Sequence, residues 1–323
     1  MEYRTLGRTG IQVSQLCFGT MSFGDDADAV TSEAMFRRCR DVGINFFDCA
    51  DVYAGGQSEE LLGRFAADCR DELVLTSKVY FPRGEGANDR GLSRRSILLA
   101  VEASLRRMKT DRLEIYFAHH QDSGTDMEVT LKAFDDLVRQ GKILHPGVSN
   151  WSAWQIALAQ GICDRRDLAR FECMQPMYNL SKRQAEVELL PLAKSQQIGV
   201  ISYSPLGGGL LTGKYTTTKR PETGRIIEKA MYIGRYAADV NYEVAQRVTE
   251  YAAAHGENPV SLSVAWVMAH PAVTAPIIGA RNLDQLEPSL AALGVDMAPP
   301  RRAEVTALSV DPPLATDRAE EGG

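Results

Sequence analysis

Short apolar runs alternate along the chain with longer segments in which apolar residues recur every three or four positions. The short runs are typical of buried strands, and the longer segments are typical of helices with one buried face. The predicted strands span residues 16–19, 45–48, 73–79, 113–118, 143–148, 171–175, 199–203 and 274–278. Two helices are predicted to begin near Ser58 and Ser93. Four more span residues 128–140, 151–160, 241–255 and 282–293, each followed by a glycine that favours a helix end.

The alternation of strand and helix predicts a parallel sheet, because each helical crossover returns the chain to the same end of the sheet. About eight such units fit a closed (β/α)8 TIM barrel of the α/β class, as one domain over residues 1–323. An open doubly wound sheet is the alternative, but no segment reads Gly-x-Gly-x-x-Gly. Residues 1–15 predict an N-terminal hairpin, residues 204–240 a long irregular loop for cofactor or substrate, and residues 311–323 a flexible polar tail.

The composition favours a soluble globular protein. The chain has 323 residues with 36 Lys and Arg against 42 Asp and Glu, a formal net charge of −6. This mild acidity gives no electrostatic footprint for nucleic acid or an anionic membrane, so neither is expected as a partner. No apolar run reaches the ~18 residues of a membrane span, and the N-terminus lacks the pattern of a signal peptide. The six cysteines form no C-x-x-C pair, which favours free thiols and a cytoplasmic location.

Polar residues stand at the carboxyl ends of seven consecutive predicted strands, the end that forms the active-site face of a (β/α)8 barrel. These residues are Asp48, Lys78, His119, His120, Ser149, Asn150, Gln175, Tyr203, Ser204 and Arg281, with Tyr53 five positions beyond Asp48. A buried aspartate or lysine is costly unless it is paired. Asp48 and Lys78, on neighbouring strands, are therefore predicted to be partners.

Several segments, taken in order, resemble the motifs of the aldo-keto reductase superfamily. GINFFDCADVY at 43–53, followed by Ser58-Glu59, resembles its signature, and TSK at 76–78 and DRLEIYFAH at 111–119 resemble its lysine and histidine strands. Further similar segments are RTLGRTG at 4–10, GVSN at 147–150, QPMYN at 175–179, YSPL at 203–206 and GAR at 279–281. The resemblance covers residues 1 to about 310. It implies an oxidoreductase that reduces a small-molecule carbonyl substrate, an aldehyde or ketone, to the alcohol with a nicotinamide cofactor.

The resemblance implies a catalytic tetrad of Asp48, Tyr53, Lys78 and His119. Carbonyl reduction needs a proton at the oxygen, and tyrosine, with an ordinary pKa of about 10, is a poor acid. A Lys78 ammonium beside Tyr53 is expected to favour the phenolate and so to make the phenol a better acid. Asp48 is expected to hold Lys78, and His119 to orient and polarise the substrate carbonyl.

For the cofactor, the resemblance implies that Ser149, Asn150 and Gln175 bind the nicotinamide carboxamide and that Tyr203 stacks on the ring. The residues implied to follow the pyrophosphate are Ser204, Leu206, Gly207, Gly209 and Lys214. Arg281, directly after the Gly279-Ala280 turn and with Gln285 one turn on, predicts recognition of a 2′-phosphate and hence NADPH over NADH. Ser289 stands where the family often carries an asparagine near the adenine.

The candidate walls of the substrate pocket are Met21, Tyr80, Phe81 and His120. His120 replaces a tryptophan common in the family, and residues 311–323 contain no aromatic side chain. These two departures predict an open pocket with a polar wall that prefers polar or bulky carbonyl substrates.

Two other functions fit parts of the sequence. Some relatives in the family are cofactor-binding subunits of membrane channels that keep the tetrad, so a regulatory subunit with little turnover is the alternative. The absence of a partner-binding extension before Met1 favours the plain enzyme. A metal-dependent hydrolase using His119, His120 and Asp122 is disfavoured, because adjacent residues of a strand point to opposite faces. No metal site is predicted.

Overall fold

An antiparallel hairpin comes first, with β1 (Tyr3–Thr5) paired to β2 (Gln12–Ser14) as predicted. Leu6 and Val13 are buried with the residues that fill the barrel interior. Gly7 permits this close approach, because a Cβ at that position would lie 2.5 Å from the backbone nitrogen of Gly199. The hairpin thus covers the amino-terminal end of the barrel and leaves the carboxyl-terminal end for a ligand.

The computed structural model describes residues 1–316, and it places eight parallel strands in a closed barrel. These strands are β3 (Cys17–Gly19), β4 (Phe46–Asp48), β5 (Val74–Val79), β6 (Leu113–Ala118), β7 (Ile143–Ser149), β8 (Cys173–Gln175), β9 (Gly199–Ser202) and β10 (Ala275–Ile278). Each strand pairs with its neighbour in chain order, and β10 closes the ring against β3. The predicted (β/α)8 TIM barrel is therefore confirmed.

The helices surround the barrel. They are α1 (Ala29–Asp41), α2 (Gln57–Ala66), α3 (Arg94–Met108), α4 (Met127–Arg139), α5 (Ala153–Arg166), α6 (Leu189–Gln196), α7 (Arg225–Glu228), α8 (Ala230–Tyr236), α9 (Asp239–Ala254), α10 (Pro259–Met268), α11 (Leu283–Leu290) and α12 (Pro299–Thr306). Short 3₁₀ turns occupy Tyr53–Gly56, Ala67–Glu72, Gln184–Glu186, Gly207–Thr212 and Ala291–Gly294. The Ser93 hydroxyl caps α3 by accepting from the backbone nitrogen of Ser96, as its position predicts.

Besides shifts of a few residues at the ends of several strands and helices, three predicted segments differ from the structure. Helix α5 runs through Gly161 to Arg166, because Cys163 beyond the glycine is buried and extends the apolar face. Residues 204–240 are not wholly irregular, since they contain a 3₁₀ turn, α7 and α8. Asp311 in the predicted tail forms an ion pair with Arg183 at 2.9 Å, and residues 317–323 of that tail lie outside the described residues.

Two buried layers hold the structure together. Phe46, Phe117 and Cys173 belong to the interior of the barrel, whereas Phe36 and Trp266 belong to the layer between strands and helices. Among residues 1–316, no helix combines the length and apolar character needed to cross a membrane.

Candidate active site

Asp48 and Lys78 meet at the carboxyl ends of two neighbouring strands, β4 and β5. The Lys78 ammonium donates to Asp48 Oδ2 at 2.6 Å and to the backbone oxygen of Cys49 at 2.6 Å. The other carboxylate oxygen accepts from Thr76 Oγ1 at 2.7 Å and from Gln175 Nε2 at 2.8 Å. The predicted ion pair is therefore present, buried, and satisfied by hydrogen bonds on both partners.

Tyr53 lies on the 3₁₀ turn that follows β4, and its hydroxyl is 3.3 Å from Lys78 Nζ. Burial disfavours the Lys78 ammonium, but Asp48 and Tyr53 outweigh it and raise the pKa of Lys78 above its ordinary value. Lys78 is therefore an ammonium group near neutral pH, beside the phenol.

The net pKa shift of Tyr53 is opposite to the one predicted from Lys78 alone. Burial raises the pKa of Tyr53 to about 12, and Lys78 opposes this rise without cancelling it. The expectation of a more acidic phenol neglected desolvation, which penalises the phenolate. The phenol thus stays protonated at neutral pH, while Lys78 stabilises any phenolate that forms on proton transfer.

His119 follows β6 and completes the group. Its ring lies edge-on to Tyr53, with ring centroids 6.3 Å apart, and edge-on to Phe81 at 4.9 Å. Burial lowers the pKa of His119 well below its ordinary value, and Lys78 and His120 lower it further. The imidazole is therefore neutral near pH 7 and can donate one hydrogen bond without carrying charge. The structure brings all four predicted tetrad residues together.

The three residues assigned to a nicotinamide carboxamide also lie together, but they bond to one another and to the tetrad. Ser149 Oγ donates to the backbone oxygen of Gln175 at 2.9 Å, and Gln175 Nε2 donates to Asp48. Asn150 Nδ2 donates to the backbone oxygen of His119 at 2.9 Å, and Asn150 Oδ1 accepts from the Tyr203 hydroxyl at 2.9 Å. A primary amide fits this set, because amide and hydroxyl groups offer both donors and acceptors.

The segment after β9 is a tight turn. Ser204 adopts a positive φ of 57° and Gly209 one of 105°, and a Cβ added to Gly209 would meet no atom within 4 Å. Gly209 therefore presents open backbone, as expected for approach of a phosphate. Gly207, in contrast, packs against Tyr236. Leu206 is partly buried and Lys214 is exposed.

Arg281 is ion-paired, which the sequence did not predict. Its Nε lies 3.1 Å from Asp26 Oδ2, and Arg225 of α7 reaches the same oxygen at 3.2 Å. Asp26 comes from the loop after β3, so this acid joins the turn after β10 to the long segment. Gln285 accepts a hydrogen bond from the backbone nitrogen of Arg281 at 3.2 Å.

Two neighbouring positions bear on the same surface. Gly279, a predicted cofactor-binding residue, is exposed. Ser289 is buried, at 1% exposure, and its hydroxyl makes no hydrogen bond to any residue among 1–316.

Three of the four candidate pocket residues, Tyr80, Phe81 and His120, form an aromatic cluster, and Phe81 of this cluster packs on His119. Tyr80 stacks on His120, with ring centroids 5.0 Å apart and planes 28° apart, and Phe81 lies 5.2 Å from Tyr80. His120 is exposed and Met21 is half-buried. An aromatic wall with one polar rim residue is therefore present beside His119.

Sequence reasoning missed residues that act through others. Thr76 and Cys49 hold Asp48 and Lys78, and Asp26 holds Arg281. Thr76 could have been found, because it precedes Lys78 by two positions and so shares its face of β5. Asp26 had no local signal, since its partners lie about 200 positions or more away in the sequence.

The chain is similar to known proteins over most of its length. The model of the aldo/keto reductase family matches residues 15–308. The chain is 37% identical over 308 residues to an uncharacterized oxidoreductase of Bacillus subtilis, YrpG, covering 92% of each protein. It is 35% identical over 302 residues to a probable voltage-gated potassium channel subunit beta of Oryza sativa subsp. japonica, covering 91% of this chain and 92% of that one. A protein of the same description from Arabidopsis thaliana is 34% identical over 302 residues, with the same coverage. The chain therefore belongs to the aldo/keto reductase family.

Proposed function

We propose that this protein is an NADPH-dependent oxidoreductase that reduces an aldehyde or ketone to the alcohol. The observation that carries the proposal is the contact of 3.3 Å between Lys78 Nζ and the Tyr53 hydroxyl, with Asp48 and His119 beside it. This arrangement suits proton transfer to a carbonyl oxygen that becomes negative during reduction.

A bound nicotinamide cofactor would supply the hydride for the carbonyl carbon. Ser149, Asn150 and Gln175 would hold its carboxamide, and the open backbone at Gly209 would accept the pyrophosphate. Arg281 would bind the 2′-phosphate after exchanging its bond to Asp26.

The chain's own residues then carry the proton. Neutral His119 donates a hydrogen bond to the substrate oxygen and fixes its direction. The Tyr53 O–H bond breaks as the proton passes to that oxygen, and the Lys78 ammonium stabilises the resulting phenolate. Asp48 keeps Lys78 in place, and a proton from solvent restores the Tyr53 phenol.

A screen of carbonyl compounds tests the proposal. Purified protein is mixed with NADPH and aromatic aldehydes, sugars or ketosteroid-like ketones, and NADPH oxidation is followed by absorbance. The expected result is repeated turnover with at least one class, and little or none in the Tyr53→Phe variant. Oxidation that persists unchanged in that variant would contradict the assignment of Tyr53.

The second candidate is a cofactor-binding regulatory subunit with little turnover. It is favoured by the two relatives described as probable channel subunits, whose identities of 35% and 34% lie close to that of the oxidoreductase relative. Tight NADPH binding together with a single slow turnover on every carbonyl tested would support this candidate over the first.

A further inference from the structure

The turn that carries Tyr53 has an unusual backbone. Ala54 has a φ of 48°, and Gly55 and Gly56 follow with φ values of 63° and 101°. A left-handed conformation is unfavourable for a residue with a Cβ, and it persists when surrounding contacts enforce it. The structure around Ala54 must therefore hold this turn in place.

Two buried acidic residues, Asp51 and Glu59, flank the turn, and each forms an ion pair with an arginine that comes later in the sequence. Asp51 lies 3.7 Å from Arg83, which follows β5. Glu59 lies 2.5 Å from Arg107 of α3, and a Cβ on Gly56 would lie 2.9 Å from the Arg107 side chain. Ion pairs on both sides of the Tyr53 turn therefore restrict its position.

The two acids differ in how well their oxygens are satisfied. Glu59 accepts from Ser77 Oγ at 2.5 Å and from Arg107 Nε at 2.7 Å. Both carboxylate oxygens of Asp51 are buried and make no hydrogen bond to any residue among 1–316, and the side chain has an exposed fraction of 0%. A buried carboxylate in this state costs folding free energy.

The pKa of Asp51 reflects the cost of burying its carboxylate. Burial, with a smaller contribution from the charge of Glu59, raises the pKa of Asp51 to about 7. Arg83, Arg107 and Lys78 oppose this rise. The buried Tyr116 hydroxyl of β6, which feels the charge of Asp51, makes no hydrogen bond within the described part of the chain.

The raised pKa of Asp51 makes the free energy of unfolding depend on pH. Asp51 holds a proton in the folded state up to about pH 7, whereas the unfolded chain releases it near the ordinary value of 3.8. The folded state thus binds more protons between these values, so the free energy of unfolding falls as the pH rises through this window. The ionised Asp51 does not stabilise the fold, and its presence two positions before Tyr53 requires another reason.

The reason lies in Arg83, the partner of Asp51, because Arg83 also belongs to the loop that forms the pocket wall. It lies two positions after Phe81, which packs on His119, and its Nη2 donates to Ser96 Oγ of α3 at 3.1 Å. The ion pair therefore links the Tyr53 turn to the aromatic loop on the other side of His119.

We infer that Asp51 and Arg83 are positioning residues, whose ion pair sets the Tyr53 turn relative to the loop of Tyr80 and Phe81. The inference rests on the proposed reductase function for its kinetic consequence. Losing the pair lets the Tyr53 hydroxyl drift from the carbonyl oxygen, and a misplacement of about 1 Å is enough to slow such a reaction.

The test compares Asp51→Asn with a matched control, Glu114→Gln. Glu114 is also a buried acid paired with an arginine, Arg70 at 2.9 Å, but it lies near the start of β6, at the opposite end of that strand from His119. At pH 8, Asp51→Asn should lower kcat by about tenfold to a hundredfold, leave the Kd for NADPH unchanged, and keep or raise the melting temperature. Glu114→Gln should do the reverse, with a lower melting temperature and an unchanged kcat.

Two further measurements test the inference: the pH dependence of kcat, and the effect of replacing Arg83. In the wild type, kcat should fall as the pH drops through about 7, and Asp51→Asn should lose this dependence. Arg83→Met should cause a similar loss of kcat, and the double variant should be no slower than either single variant. Full additivity of the two losses would overturn the pairing.

An NMR measurement decides the positioning even without turnover. With ¹³C-labelled tyrosine, the Tyr53 resonance is identified by its absence in Tyr53→Phe. Asp51→Asn should shift that resonance, and Glu114→Gln should leave it in place. If the wild type turns over no carbonyl, the proposed function fails while this readout still decides the inference. An unmoved resonance, or Asp51→Asn behaving like Glu114→Gln, would overturn it.

Discussion

Lys78 Nζ lies 3.3 Å from the Tyr53 hydroxyl oxygen while it also donates to Asp48 and to the backbone of Cys49. An ammonium group has three hydrogens and no lone pair, so these three oxygens account for its full donor capacity. Tyr53 must therefore be the acceptor in its contact with Lys78. The phenol hydrogen remains available to point toward a substrate on the open side of the barrel.

The first prediction concerns that hydrogen. Tyr53→Phe should lower the rate of carbonyl reduction by about 10²–10⁴-fold, the usual loss for a general acid. The Kd for NADPH should change little, because the phenol is assigned to the substrate oxygen. Rapid-mixing kinetics shows whether hydride transfer is rate-limiting. If it is, and the variant still turns over at the wild-type rate, another group is the acid.

The second prediction concerns the ion pair. Lys78→Met should be inactive, because the cation that stabilises the Tyr53 phenolate is lost. It should also destabilise the protein by ~3–5 kcal/mol, since Asp48 keeps an uncompensated buried charge. Denaturant unfolding measures this loss. The double variant Asp48→Asn/Lys78→Met serves as the control and should recover much of the stability without recovering activity.

The third prediction follows from the raised pKa of Tyr53. Burial raises this pKa to about 12 against the opposing effect of Lys78. The phenol therefore stays protonated between about pH 8 and about pH 10, since that range lies below its pKa. The kcat for carbonyl reduction should be flat across this range. A rate that halves near pH 9 with unchanged cofactor binding would contradict the assigned pKa.

The strands of the barrel could be predicted because β-rich apolar runs mark each of them. Helix α10 has no comparable signal, because residues from Val260 to Met268 are buried all round and show no amphipathic period. The two helices α7 and α8 within residues 204–240 are four and seven residues long, too short for periodicity to be detected.

The candidate site divides in the same way. Asp48, Lys78 and His119 could be predicted, because strand ends converge wherever a barrel closes. The pairs Asp51–Arg83 and Asp26–Arg281 could not, since each joins two loops that meet only in the folded chain. The raised pKa of Tyr53 was also out of reach, because desolvation depends on burial by residues distant in sequence.

The fourth prediction concerns substrate choice. His120 is exposed and stacks on Tyr80, so it forms the polar rim of an aromatic wall. His120→Trp should lower kcat/KM for a keto sugar or polycyclic ketone relative to a short alkyl aldehyde, because an apolar ring replaces a polar one. His255, which is exposed directly after the end of α9, offers the matched control His255→Trp. An unchanged ratio in His120→Trp would remove His120 from the pocket argument.

The fifth prediction concerns the choice between NADPH and NADH, which differ by a 2′-phosphate. Arg281→Ala should raise the Kd for NADPH by about tenfold to a hundredfold, the range for losing a charge-assisted hydrogen bond of ~1.5–3 kcal/mol. The Kd for NADH should stay nearly unchanged. Asp26 modifies this expectation, because it holds Arg281 at 3.1 Å and so competes with the phosphate for the same guanidinium.

Removing that competitor should act in the opposite direction. Asp26→Asn should tighten NADPH binding and leave NADH binding unchanged, since only the 2′-phosphate needs the freed guanidinium. Asp25→Asn removes a neighbouring exposed acid and is the matched control, with no selective effect expected. Titration of both cofactors by quenching of protein fluorescence measures all four Kd values for each variant pair. Equal weakening of NADPH and NADH in Arg281→Ala would mean that Arg281 does not read the 2′-phosphate, and tighter binding of both in Asp26→Asn would place the competition elsewhere on the cofactor.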